Sequence, residues 1–264
     1  MRWPLLTGIL AIVALAWFPA PQLGLWGNPG CSFFTSTCTR VLFIGNSYTS
    51  VNDLPGTFAD LGWSAGYRIE TAALDQGGWT LAQHAADPAT ATMLGSERWT
   101  YVVLQEQSEI PSTSVSRTEQ MDPAATKLVN MVRLKGEAPI FYLTMAHEDG
   151  YPEVGLSTYQ SMQAAIDIGY MDIAQELGVP VAPVGVAWQS VVDQADAPSL
   201  WQTDGSHPTL GGTYLAACVF FAAIFHRSPV GLGDDGGLSP SQARELQSAA
   251  AGTVLNDPSQ WGLA

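Results

Sequence analysis

Short apolar runs alternate with longer helical stretches along this chain. The first run, Val41-Leu42-Phe43-Ile44, leads into a glycine turn and is typical of a buried β-strand. The pattern predicts strands over residues 40–46, 68–74, 101–107, 139–146 and 180–185. It predicts helices over residues 53–65, 80–98 in pieces, 123–135, 157–177, 208–226 and 239–254.

This alternation predicts an α/β fold. Strands separated by helices of this length are joined by parallel crossovers, and the helices then cover both faces of one sheet. We therefore expect a three-layer α/β/α sandwich around a five-stranded parallel sheet. No change of composition divides residues 40–264, so they are expected to form a single domain.

Two polar motifs near opposite ends of this domain carry candidate chemistry. Ser47 directly follows the first predicted strand, and Asp204 and His207 precede the last strongly apolar helix. A serine hydroxyl needs a base within hydrogen-bond reach, and that base needs an acceptor that fixes its tautomer. Each motif alone is equally typical of a helix start, with serine as N-cap or Pro208 at the first helical position. Their joint occurrence favours a serine hydrolase.

The order of these motifs resembles that of the SGNH, or GDSL-like, hydrolase family over residues 40 to 230. Gly45-Asn46-Ser47 stands where the family commonly has Gly-Asp-Ser, and Gly77-Gly78-Trp79-Thr80 is similar to the second block. Asp204 and His207 fit the last block, which carries the acid and the base.

The resemblance implies a role for each matching residue. Ser47 would be the nucleophile, His207 the base and Asp204 the acid. The backbone NH groups of Ser47 and Gly78 would bind the oxyanion. A flavodoxin-like strand order is also implied, which would place the ends of the first and third strands side by side.

The third block departs from the family pattern. The usual Gly-x-Asn-Asp is replaced by Gln105-Glu106-Gln107-Ser108 after the strand that begins at Tyr101. Glutamine carries the same amide donor as asparagine on a longer stem, so Gln107 is expected to complete the oxyanion hole. Gln105 remains the alternative, because alternate residues share one face of a straight strand.

Four further residues near the motifs are candidate substrate contacts, namely Tyr48, Trp79, Gln105 and His147. His147 follows the strand predicted over residues 139–146 and so lies at the same edge of the sheet. Core packing is at least as typical of the aromatic residues, and a solvated loop is more typical of His147.

Charge narrows the range of partners. The chain has 24 acidic and 10 basic residues and a net charge of -14, which disfavours binding to nucleic acids and anionic lipids. Serine-based hydrolysis needs no metal or cofactor, and none is expected. The expected partner is a small-molecule or carbohydrate ester.

The amino terminus predicts export. Residues 1–20 open with Met1-Arg2 and continue almost wholly apolar, over a length too short for a comfortable membrane span. They are expected to be a signal peptide, with an uncleaved N-terminal anchor as the alternative. Residues 21–39 would be an exported N-terminal segment, and the protein secreted or held in the cell envelope. No membrane partner beyond the export signal is expected.

The three cysteines fit this location. Cys31 and Cys38 flank a short loop in the exported region and are expected to form a disulfide. Cys218 lies in an apolar helical run and is expected to be a buried thiol without a catalytic role.

Residues and resemblance together predict a secreted serine esterase that hydrolyses small-acyl esters through an acyl-serine intermediate. An O-acetylated carbohydrate or a short-chain ester is the expected substrate. The alternatives are a carbohydrate-binding module on the same fold with weak or no catalysis, and an acyltransferase that uses the same acyl-serine.

Overall fold

A single parallel sheet organises the protein, as seen in a computed structural model that describes residues 31, 37–194 and 198–263. The strand order is β2-β1-β3-β4-β5. The strands are β1 Thr39–Ile44, β2 Ile69–Leu74, β3 Tyr101–Leu104, β4 Ala138–Tyr142 and β5 Val181–Ala182. Every pairing is parallel. This is the predicted flavodoxin-like order, and the α/β/α fold class is confirmed.

Helices cover both faces of the sheet. They are α1 Ser47–Ser50, α2 Leu54–Ser64, α3 Leu81–Ala86, α4 Pro88–Ser96, α5 Ser114–Ser116, α6 Asp122–Leu134, α7 Tyr159–Leu177, α8 Val184–Val192, α9 Leu210–Phe225 and α10 Pro240–Leu255. A π-helical turn, Arg117–Met121, leads into α6.

Four predicted strands extended past their observed ends, and β1 ends at Ile44 instead of residue 46. β3 ends at Leu104 instead of residue 107, and β4 ends at Tyr142 instead of residue 146. The strand predicted over residues 180–185 contains only Val181–Ala182, because Pro183 precedes a helix that the prediction missed. In that helix, α8, Val184, Trp188 and Val191 are fully buried at helical spacing.

The topology places a crevice at the carboxyl ends of β1 and β3. From β1 the chain moves to one side to form β2 and then returns to the other side of β1 to form β3. The loops that leave β1 and β3 therefore diverge, and such a switch point is where α/β sheets bind ligands. Val41–Ile44 of β1 are fully buried, so the crevice stands on a packed core.

The amino-terminal predictions fall mostly outside the described residues, which do not include residues 1–30 and 32–36. Cys31 and Cys38 are disulfide-bonded, as predicted, and Cys218 is a fully buried free thiol. Burial raises the pKa of the Cys218 thiol. Within the described ranges, no helix combines the length and apolar character that a membrane span requires.

Candidate active site

Ser47 lies at the carboxyl edge of the sheet as the first residue of α1. Asn46 caps this short helix, and its side chain accepts a hydrogen bond from the backbone NH of Tyr48 at 3.1 Å. The carbonyl of Gly45 is 2.7 Å from Nε2 of His84, a buried residue on α3. The turn between β1 and α1 is therefore held from a neighbouring element, and it leaves Ser47 half-buried.

A continuous chain of hydrogen bonds joins Ser47, His207 and Asp204. Nε2 of His207 lies 2.9 Å from Oγ of Ser47, and Nδ1 lies 2.7 Å from Oδ2 of Asp204. Oδ1 of Asp204 accepts the backbone NH groups of Ser206 at 3.0 Å and His207 at 2.9 Å. These backbone bonds, helped by the imidazole, lower the pKa of Asp204 to about 2. The carboxylate thus stays ionised opposite Nδ1.

Hydrogen bonds within the loop and from a neighbouring segment hold the stretch that carries Asp204 and His207. The NH of Glu148 donates to the carbonyl of Gly205 at 2.7 Å, and the NH of Gln202 donates to the carbonyl of His207 at 2.7 Å. Below the loop, the hydroxyl of Tyr48 lies 2.8 Å from Oγ of Ser206. The ring of Tyr48 meets the ring of His207 edge to face, with centroids 5.9 Å apart.

Two of the predicted substrate contacts, Tyr48 and Gln105, are buried in the structure and are corrected here to supporting residues. Tyr48 is only 4% exposed and supports the loop below His207. Gln105 is fully buried, and its amide is committed to internal bonds. Its Oε1 accepts hydrogen bonds from the NH of Asn46 at 2.9 Å and from the hydroxyl of Thr49 at 3.0 Å. Its Nε2 donates to Oδ1 of Asn46 at 2.9 Å and to the carbonyl of Glu106 at 2.7 Å.

These bonds leave Gln105 no spare donor, so it is excluded as the oxyanion donor. Gln107 lies in the turn after β3 and is half-buried. Its Oε1 accepts the NH groups of Glu109 at 2.8 Å and Ile110 at 3.2 Å. Its Nε2 makes only a long 3.4 Å bond to Oγ of Ser108 and retains a second N–H. Of the two glutamines, Gln107 alone keeps donor capacity.

The backbone NH groups of Ser47 and Gly78 are also open to a ligand, because neither has a hydrogen-bond acceptor within the part of the chain described. Gly78 adopts a φ of 74°, in the left-handed region that favours glycine. The carbonyl of the next residue, Trp79, accepts a hydrogen bond from Nδ2 of Asn46 at 2.9 Å. This bond ties the glycine turn to the cap of the Ser47 helix.

Glu106 is a residue of this site that the sequence analysis missed. Its Oε1 accepts the NH groups of Leu81 at 3.0 Å and Gln107 at 2.7 Å. Burial raises the pKa of Glu106 to about 7, although both NH bonds oppose this rise. The only sequence signal was an acidic residue at the end of an apolar strand.

A cleft of about 330 Å³ lies next to Asp204. Carboxylates of Glu109, Asp149, Glu153 and Asp204 line it, together with His147 and Tyr151. Nε2 of His147 lies 2.9 Å from Oγ of Ser108, and burial lowers the pKa of the imidazole. His147 thus lines the cleft, and its role as a substrate contact stays a prediction.

Trp79 and a second cavity are not part of this cleft lining. Trp79 is half-buried and packs against His84 with ring centroids 5.0 Å apart. A separate cavity of about 430 Å³ lies between the end of α7 and the turn Pro258–Trp261, and it contains none of the predicted site residues. Among the described residues, no group of three or more His, Cys, Asp and Glu is arranged to hold a metal ion.

Comparison with known proteins identifies the fold. No protein-family model and no curated protein sequence matches the chain. Among solved structures, it is similar to a DUF4886 family protein from Bacteroides uniformis, with a TM-score of 0.73 and 21% identity over 83% of this chain and 95% of that one. A candidate SGNH hydrolase from Slackia heliotrinireducens is 28% identical over 70% of this chain and 97% of that one, with a TM-score of 0.58.

A named enzyme also shares the fold. Axe2, an acetylxylan esterase from Geobacillus stearothermophilus, is 14% identical over 76% of this chain and 97% of that one, with a TM-score of 0.54. At this identity the likeness concerns the fold alone. Together with the strand order, these similarities establish an SGNH/GDSL-like hydrolase fold for this chain.

Proposed function

We propose that the protein is a serine esterase that hydrolyses small-acyl esters through an acyl-serine intermediate. The observation that carries this proposal is the unbroken hydrogen-bonded chain from Asp204 through His207 to Ser47. Its order and distances are those that nucleophilic catalysis by serine requires. The SGNH-like fold of the chain supports the same chemistry, since hydrolases named among its structural neighbours share it.

In the proposed reaction, Nε2 of His207 takes the proton of Ser47 as Oγ attacks the ester carbonyl. Asp204 holds the Nδ1 proton and stabilises the imidazolium that forms. The NH groups of Ser47 and Gly78 and the amide of Gln107 bind the oxyanion. His207 then protonates the leaving alcohol, which yields acyl-Ser47, and water repeats the sequence to release the acid.

For the substrate, we propose an O-acetylated carbohydrate or another short-chain ester. The polar lining of the cleft suits a hydroxyl-rich alcohol portion better than a long acyl chain. The esterase Axe2, which shares the fold, is named for acetylxylan. Release of acetate from acetylated xylan, compared with turnover of nitrophenyl esters of increasing chain length, tests this choice. Faster turnover of long-chain esters would contradict it.

Labelling with a fluorophosphonate, followed by peptide mapping, tests the proposed nucleophile without knowledge of the substrate. The label should attach to Ser47 in the wild-type protein and be absent from Ser47→Ala. Ser50→Ala is the matched control, because Ser50 is an exposed serine at the other end of the same short helix. A label on another residue, or none, contradicts the proposal.

The two alternatives give different outcomes in the same assays. A carbohydrate-binding module would bind oligosaccharides in calorimetry but would neither be labelled nor release acetate. An acyltransferase would be labelled, but added acceptor alcohol would divert the acyl group from water to a new ester. We further propose an extracytoplasmic location, which the apolar pattern of residues 1–20 and the disulfide between Cys31 and Cys38 support.

A further inference from the structure

One buried carboxylate oxygen joins two segments of the candidate active site. The side chain of Glu106 is fully buried just beyond β3. Its Oε1 accepts the backbone NH groups of both Leu81 and Gln107, at 3.0 and 2.7 Å. The NH of Glu106 donates to the hydroxyl of Tyr170 on α7 at 3.0 Å, which fixes the carboxylate-bearing residue itself.

Each bridged segment carries one proposed oxyanion donor. Leu81 is the first residue of α3 and lies three residues after Gly78, beyond the N-cap Thr80. Gln107 is itself the side-chain donor. The bridge therefore sets the position of the Gly78 turn relative to Gln107.

We propose that Glu106 is a positioning residue for ester hydrolysis, which holds the NH of Gly78 and the amide of Gln107 at the separation that the oxyanion requires. This inference rests on the proposed function. Oxyanion donors act because they are already in place when charge develops, so slack of about 1 Å between them is damaging. Glu106 does not touch the substrate, and its effect passes through the two segments.

The energetics of the bridge agree with this role. Oε2 of Glu106 is buried without a hydrogen-bond partner, which costs free energy of folding. An apolar side chain of similar size would avoid this cost, but it would release both NH groups. A carboxylate oxygen can accept both at once.

Glu137 offers a matched control at the opposite edge of the sheet. It is also a buried carboxylate, its Oε1 accepts the NH of Trp99 at 3.0 Å, and its Oε2 is likewise buried without a partner. It directly precedes Ala138, the first residue of β4, and lies at the amino edge, away from Ser47. Loss of its hydrogen bond should affect stability alone.

The experiment compares Glu106→Asp, Glu106→Gln and Glu137→Asp for kcat, KM and melting temperature on an acetyl ester. Asp is one methylene shorter and cannot span both NH groups, so kcat of Glu106→Asp should fall about tenfold or more with KM nearly unchanged. Gln retains the bridging oxygen and should keep kcat within about threefold of wild type. Glu137→Asp should lower the melting temperature and leave kcat unchanged.

The inference is overturned if Glu106→Asp retains wild-type kcat, if Glu106→Gln is equally slow, or if Glu137→Asp loses as much turnover. Failure of the proposed function is recognised separately, because wild-type protein would then not be labelled at Ser47 or, if labelled, would not hydrolyse the acetyl ester. The inference fails by itself when wild type is active and the variants do not differ.

Should Glu106→Asp not fold, the same bond can be removed from its other end. Leu81 is the first residue of α3, where proline is tolerated, and Thr80 before it is already extended, with φ -100° and ψ 162°. Leu81→Pro and Leu81→Ala both truncate the buried side chain, but only proline removes the NH. A kcat for Leu81→Pro about tenfold below that of Leu81→Ala supports the inference, and equal kcat values overturn it.

Discussion

At the scale of single residues, the candidate site depends on which tautomer His207 adopts. Asp204 uses one oxygen for two backbone NH groups and the other for Nδ1 of His207. The Nδ1 atom must therefore carry a proton, and Nε2 is left free to accept the proton of Ser47. Because the two oxygens bind different groups, replacement of one of them by the NH2 group of asparagine should change the tautomer of His207.

Asp204→Asn should lower turnover about a thousandfold or more, close to the losses expected for Ser47→Ala and His207→Ala. The amide oxygen would take the position that accepts the two backbone NH groups, and its NH2 would face Nδ1. The imidazole would then carry its proton on Nε2 and could not act as a base. Steady-state kinetics on an acetyl ester measure the loss, with Asp172→Asn as control, because Asp172 is an exposed acid on α7 outside the cleft lining. Near-normal turnover of Ser47→Ala would contradict the proposed role of Ser47 as the nucleophile.

Substitution of Gln107 should mainly affect turnover, whereas substitution of Gln105 should mainly affect stability. Gln107→Ala should lower kcat about a hundredfold, because its second N–H binds the oxyanion. It should lower the melting temperature less than Gln105→Ala does, because the NH groups of Glu109 and Ile110 that it frees lie in a half-buried turn. Gln105→Ala leaves the NH of Asn46 buried without its acceptor and should unfold at a lower temperature. Thermal melts and kinetics of both variants decide this prediction. An unchanged kcat for Gln107→Ala would leave the backbone NH groups of Ser47 and Gly78 as the oxyanion donors.

Glu106 should make folding stability depend on pH. Burial raises its pKa from the ordinary 4.5 to about 7, so the folded protein binds a proton that the unfolded chain releases between these values. The contribution of Glu106 to stability is thus fully present below about pH 4.5 and is lost as the pH rises through about 7. Glu106→Gln removes this dependence, and its unfolding free energy relative to wild type should rise across that range. Denaturant titrations at several pH values measure the difference, and parallel pH curves would contradict it.

At the scale of elements, the close approach of β1 and β3 determines where Ser47 lies. A Cβ atom on Gly45 would clash with Oε1 of Gln105 and would lie 2.7 Å from Oγ1 of Thr49. Only glycine allows Gln105 to reach the NH of Asn46 across this gap. The end of β1 and the turn after β3 are thereby joined as one support for α1.

Gly45→Ala should push Gln105 out of this position. We expect a loss of about 1–3 kcal/mol of stability, which is typical of overpacking, together with a lower kcat because the turn before Ser47 shifts. Gly95→Ala is the control, since a Cβ there meets only Nζ of Lys135 at 3.9 Å and alanine favours the helix α4. Chemical denaturation and kinetics test both variants. Wild-type stability of Gly45→Ala would show that the turn can adjust.

The order of the elements was predictable because each strand is an apolar run between helical stretches, but their ends were not. β3 ends at Leu104 because Gln105 pairs with Asn46, 59 residues earlier in the chain. Such a partner is set by tertiary structure and leaves no local signal. The same holds for Glu106, whose burial depends on Leu81. Ser47, Asp204 and His207 were found because their motifs are local and ordered.

At the scale of the whole molecule, charge is distributed unevenly between the two edges of the sheet. Arg68, Arg98 and Lys135 precede β2, β3 and β4 and so lie toward the amino edge. The cleft at the carboxyl edge is lined by four carboxylates and by no lysine or arginine. The field at the candidate active site is therefore negative, in addition to the net charge of -14.

This field should select substrates by the charge of their alcohol portion. An acetyl ester whose alcohol carries a carboxylate should have a lower kcat/KM than a neutral ester of similar size, and added salt should narrow the gap because it screens the repulsion. Glu153→Gln, which removes one charge from the cleft lining, should raise kcat/KM for the anionic ester by about twofold to tenfold and leave the neutral ester unchanged. Glu176→Gln is the matched control, because Glu176 is an exposed acid near the end of α7, outside the cleft lining. If both variants raise kcat/KM for the anionic ester equally, the effect is due to the net charge of the protein. If neither variant raises it, the alcohol portion does not enter this cleft.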